Sequence, residues 1–135
     1  MKQKGSFTVE AAFVVPLLFL VVWIVIHMGF FMYNREACTA IASLAVLKGS
    51  QMEQEGRRTI EKVITAYVKE ETEQKLIFTD AVCWDIGISS TNIKVTIQIS
   101  QRIPFQTLTY EVSEKMGRIH PVSAIWEMER LENIK

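Results

Sequence analysis

Ala11 to Met32 is a run of 22 consecutive residues in which His27 is the only ionisable side chain. At about 1.5 Å of rise per residue a helix of this length reaches roughly 33 Å, enough to cross a hydrocarbon core of about 30 Å. A transmembrane helix over residues 11–32 is therefore the first expectation. A secretory signal peptide would also place basic residues first, here Lys2 and Lys4, but its apolar core is about 7–15 residues and ends in a small-x-small cleavage site. This run is longer, and "YNREAC" follows it, with Arg35 also breaking a lipoprotein-type pattern around Cys38. The short arm carrying Lys2 and Lys4 favours a cytoplasmic N-terminus, which puts residues 33–135 on the outside.

The formal net charge of +0 gives no electrostatic reason to expect a nucleic-acid partner. Beyond the span, helix continues as far as the breakers Gly49 and Ser50, with Ala37, Ile41, Leu44 and Ala45 on one stripe. Thr59 to Lys75 places Ile60, Val63, Ile64, Tyr67 and Val68 at helical spacing, an amphipathic helix whose expected partner is the domain's own sheet. Val82, Trp84, Ile86 and Ile88 alternate with polar or small residues. So do Ile93, Val95, Ile97 and Ile99 after the break "SSTN", which predicts a hairpin with one apolar face. Pro104 allows only an edge or interrupted strand after it, with Leu108, Tyr110 and Val112 inward. Lys115–Pro121 reads as a loop and Ser123–Ile134 as a short terminal helix. The fold class is α+β: a long N-terminal helix continuing as a stalk, an amphipathic helix and a small antiparallel sheet.

An acid stands at the head of the apolar run. Intramembrane carboxylates are costly and usually have a partner or a function, whereas one in the headgroup zone at a helix start is favoured by about 0.3–1 kcal/mol through the macrodipole. Both readings are open for Glu10. The order Lys4, Gly5, Ser6, Phe7-Thr8-Val9, Glu10 and then the span resembles the class III signal of type IV pilins. Within that group "GSFTVEAAFVVPLLFL" is most similar to the TadE-type minor pilins, or pseudopilins, of the Tad (tight adherence) system.

The resemblance covers roughly residues 4–35 and implies a leader and cleavage region over residues 1–10. A prepilin peptidase would cut between Gly5 and Ser6 on the cytoplasmic face, and Glu10 would pair with the new amine of a neighbouring subunit. It implies other pilus or pseudopilus subunits and the membrane as partners, and a role in pilus assembly or adhesion. One departure is Ala11, where major Flp-type pilins carry Tyr after the glutamate, which argues for a minor subunit. An uncleaved single-pass protein with an outer ligand- or partner-binding domain is the alternative; a pseudopilin of a secretion or DNA-uptake machine would share the signal.

Pro16 removes one helical donor and either bends the axis or is simply tolerated. His27, between Trp23 and Tyr33, suits an interface position. Cys38 and Cys83 show no C-x-x-C spacing, and no phosphate loop or nucleophile motif appears, so no enzyme, cofactor, metal or small-molecule substrate is expected. A Cys38–Cys83 disulfide would close a long loop and contribute about 4 kcal/mol in the chain-entropy model. It requires the stalk to cover the face of the strand opposite Trp84.

Overall fold

The architecture is that of a computed structural model, which describes residues 2–52, 55–103, 105–118 and 128–134. It is α+β. Helix α1 (Lys2–Ser50) is a continuous rod of 49 residues that passes through Pro16. Helix α2 (Arg57–Lys75) follows, then strands β1 (Ala81–Ile88), β2 (Asn92–Ile103) and β3 (Gln106–Gly117). The strands form an antiparallel meander in the order β1-β2-β3.

The two helices make one layer on one face of this sheet. The C-terminal half of α1 lies over β2 and β3, and α2 lies beside it over β1. The amphipathic helix thus finds its partner surface in α1 as well as in the sheet. Ile60, Ile64, Val68 and Thr72 form its buried stripe, spaced four residues apart along one face.

Period-2 alternation fixes which strand residues face the helices. Register pairs Val82 with Ile99, Trp84 with Ile97, Ile86 with Val95 and Ile88 with Ile93; across the other ladder Ile99 meets Tyr110 and Ile97 meets Val112. The expected inward sets of all three strands share this face. Ile93, Val95, Ile97 and Ile99 are buried and form the core with Ile41, Ala42, Ala45, Val46, Ile60, Ile64 and Val68. Burying each such isoleucine stabilises the domain by about 1.5–3 kcal/mol before the entropy of ordering is counted.

Two expectations change. Leu44 is 47% exposed, while Asn34, Cys38, Ile41, Ala42 and Ala45 carry the buried stripe of the stalk. The stripe that turns inward is the one that ends at Gly49, where α1 approaches α2 and β2 closely. At Gly49 a Cβ would stand 2.6 Å from Ile64 Cδ1 and 3.0 Å from Ile93 Cδ1. Secondly, Lys115–Gly117 is strand and not loop, because β3 pairs with β2 all the way to Asn92↔Gly117.

The β1–β2 turn is closed by the Ser89 N–H donating to Asn92 O at 2.8 Å, at the predicted "SSTN" break. Pro104, and residues 119–127 of the expected loop and terminal helix, lie outside the described residues; residues 128–132 are helical.

Candidate functional site

Gly5, Ser6 and Glu10 lie on the first turns of α1, all exposed, and among the described residues nothing approaches within 4 Å of a Cβ built at Gly5. Ser6 and Glu10 are four residues apart, so the carboxylate stands one turn above Ser6 on the same helix face. An amine created at Ser6 would lie near the depth of that carboxylate. No residue of the most hydrophobic window of the apolar stretch that follows is buried, and α1 is the one described helix long and apolar enough to cross a membrane.

Where α1 leaves this stretch, the first polar residue on its sheet-facing stripe is Asn34, fully buried. Its side-chain amide donates to Ile77 O at 2.6 Å and to Gln101 Oε1 at 3.2 Å, and its Oδ1 accepts from the Ile77 N–H at 3.0 Å. One side chain therefore ties α1 to the α2–β1 connection and to the central strand at once. Local sequence pattern does not single out this clamp. Its signal was nevertheless present: Asn34 sits four and seven residues before Cys38 and Ile41 on the buried stripe, and Gln101 occupies the next inward position after Ile99. A polar residue falls where an apolar one was due in each case.

Just before Asn34, aromatic side chains gather around α1. Trp23 and His27 stack with centroids 5.4 Å apart, and the His27 Nδ1–H, in the tautomer this geometry requires, donates to Trp23 O at 2.9 Å. Phe30 meets Phe78 at 5.2 Å, and Phe31 meets Tyr110 edge-on at 4.9 Å. His27 thus has an aromatic and backbone environment, consistent with an interface position.

The two cysteines are both free thiols. Cys38 is buried between α1 and the sheet, whereas Cys83 is exposed on the outward face of β1. The stalk covers the Trp84 face and not the Cys83 face, so the expected Cys38–Cys83 disulfide does not form: the two thiols stand on opposite sides of β1. Burial pushes the Cys38 thiol up to about 12, the neighbouring Tyr110 hydroxyl opposing it, and Tyr110 is itself raised by burial and by Cys38. Since the thiolate is the nucleophile, Cys38 is inert in the folded chain. Maleimide at pH 8 should modify Cys83 alone on the intact protein in detergent, with a second equivalent taken up only after denaturation. Equal native labelling of both, read by peptide mass spectrometry, would contradict the placement of Cys38.

The family model described as TadE-like protein matches residues 5–46. That stretch contains Gly5, Ser6, Glu10, the whole apolar run and the stalk through Val46, and it stops before α2 and the sheet. Comparisons with curated proteins and with solved structures find no match.

Proposed function

We propose, from the match of residues 5–46 to the TadE-like family model, that the chain is a minor pilin or pseudopilin of a Tad-type pilus system. It is anchored by α1 with its N-terminus in the cytoplasm, processed by a prepilin peptidase between Gly5 and Ser6, and joined to other pilus subunits through Glu10 and the exposed first half of α1. Its function is assembly or adhesion and not catalysis.

The observation that carries this reading is the order of Gly5, Ser6 and Glu10 at the head of an exposed apolar helix, inside the matched stretch. A peptidase working at the membrane surface needs an approachable bond. The surroundings of Gly5 are open, and glycine presents no side chain to the enzyme's own surface. Removing the leader would take away Lys2 and Lys4 and leave an ammonium at Ser6 at the base of an apolar helix. A buried or half-buried ammonium is costly unless an anion lies near it. Glu10 is the first acid of the chain, and the i,i+4 relation places it close to the level of that ammonium.

The test is the mature N-terminus. Protein purified from cells that contain a prepilin peptidase should begin at Ser6 by mass spectrometry, and Gly5→Leu should retain Met1 or Lys2 at its start. A wild-type chain that still begins before Gly5 in the assembled form would favour the alternative, an uncleaved single-pass protein whose outer α+β domain binds a partner.

A further inference from the structure

Two exposed phenylalanines lie at the same end of the ectodomain, on separate loops. Phe105, at the β2–β3 turn, is 77% exposed and lines a shallow groove with Leu20, Trp23 and Ile24. Phe78, in the α2–β1 connection, is 72% exposed and lines another with Phe19, Val22, Trp23, Ile26, His27 and Phe30. Backbone geometry explains why they reach so far along α1. The stalk runs antiparallel to β2, with Gly49 beside Ile93 and Asn34 beside Gln101. Four strand residues past Gln101 advance about 13 Å, and the same distance back along α1 from Asn34 is about nine helical residues, which reaches Val25. The hairpin tip therefore hangs alongside residues that hydropathy alone assigns to the bilayer.

Those facts conflict with a hydrocarbon edge at Met32. With the edge there, the level of Leu20–Ile24 would be about 12–18 Å deep. The β2–β3 hairpin would carry Arg102, Gln106, Thr107 and the unpaired edge of β3 into a medium that does not tolerate open backbone groups.

We propose that the outer hydrocarbon edge lies at Ile26–His27, and that Phe105 and Phe78 insert into the lipid surface as a two-pronged membrane contact of the ectodomain. This rests on the reading that α1 spans a bilayer. Trp23 and His27 then stand at the interface, where amphipathic rings collect. Phe105 dips a few ångströms below the edge, within the about 5–10 Å typical of interfacial apolar groups, and Phe78 lies at headgroup level. Phe78 has φ +54°, a conformation uncommon for a bulky residue, and it turns this side chain out onto Phe30 instead of into the core. Asn34 clamps Ile77, adjacent to Phe78, and Gln101, on the strand leading to Phe105, so one buried amide holds both prongs in place.

Lipid is the occupant because the prongs are continuous with the exposed apolar surface of the span itself. About twenty residues counted back from Ile26 begin at Phe7. This frame leaves Ser6 at the inner edge and draws Glu10 about 5 Å inside it.

The experiment uses the full chain reconstituted in phosphatidylcholine–phosphatidylglycerol vesicles with chain-brominated or chain-spin-labelled lipid. In a Cys83→Ser background, where Cys38 is buried and unlabelled, a bimane dye is placed by Phe105→Cys, Phe78→Cys, Gln106→Cys (which keeps Phe105), Phe13→Cys and Gln98→Cys. Lipid quenching at 105 and 106 should come within a factor of about two of that at 13, weaken at 78 and be absent at 98 on the outward sheet face. Positions 78, 105 and 106 behaving like 98 while 13 is quenched would overturn the lipid contact. Blue-shifted emission that ignores lipid quencher but rises with protein density would overturn it in favour of a neighbouring chain. An unquenched label at 13 would instead remove the membrane-spanning premise.

Discussion

Asn34→Leu is expected to cost the helix–sheet domain about 2–5 kcal/mol, because it strands one buried and two part-buried polar groups, a fully buried one costing about 1–3 kcal/mol. The Ile77 N–H loses its acceptor, and Ile77 O and Gln101 Oε1 lose the amide that donates to both. Domains of this size have roughly 5–15 kcal/mol in total, so the loss removes a large part of the stability. Asn34→Asp should be no better, since its carboxylate keeps an acceptor for Ile77 N–H but faces two acceptors where the amide donated. Urea midpoints read by trypsin resistance of the full chain in detergent will measure the loss. Adding Gln101→Leu should restore part of it, as replacing both partners by apolar groups leaves fewer orphans. A change below about 1 kcal/mol for Asn34→Leu would mean that the amide is dispensable and that water or the backbone substitutes for it.

The second large effect belongs to Glu10. If the carboxylate only favours the start of α1, Glu10→Gln costs no more than about 1 kcal/mol and assembly continues nearly unchanged. If it neutralises the Ser6 ammonium of a neighbouring subunit, the substitution leaves that cation unpaired in or beside hydrocarbon, a penalty of several kcal/mol. Each kcal/mol matters steeply, because 1.4 kcal/mol is tenfold in an equilibrium. Under the proposed function, Glu10→Gln should insert into the membrane and begin at Ser6 like wild type, yet fail to co-purify with other pilus components at matched membrane levels. Undiminished incorporation would assign the carboxylate to the helix alone. A hydrocarbon frame that ends near Ile26 makes the contrast larger, since it moves Glu10 from the headgroup zone into the apolar layer.

These two residues differ in how they could be seen. Glu10 is a candidate from one short window: an acid five positions after a glycine, at the head of an uninterrupted apolar run, is singled out without knowledge of the rest of the chain, and its role rests on the experiment above. The same holds for the sheet. Alternation from Val82 to Ile88 and from Ile93 to Ile99 specifies an inward face through the local geometry of the pleat, and the inward residues of β3 followed from the same rule. The C-terminal limit of α1 was legible from Gly49-Ser50, and the apolar character of residues 11–32 from composition alone.

What local pattern could not decide was the relation between segments far apart in the chain. Leu44 satisfies helical spacing as well as Ala45 does, and only the packing of α1 against α2 and the sheet, close at Gly49 against Ile64 and Ile93, turns Ala45 inward and Leu44 out. Cys38 and Cys83 could be imagined as a pair until the stalk chose one face of β1 and left the other to solvent.

The Asn34 clamp joins partners 43 and 67 positions apart. A polar side chain in the sequence does not say whether it meets water or another buried group, and only folding brings Ile77 and Gln101 to it. The length of the apolar run was determined by the sequence itself, since hydropathy is a property of each residue. How much of that run stands beside the sheet was decided by tertiary structure, because the axial registration of α1 against β2 depends on where buried polar groups find their partners and where small residues admit the sheet.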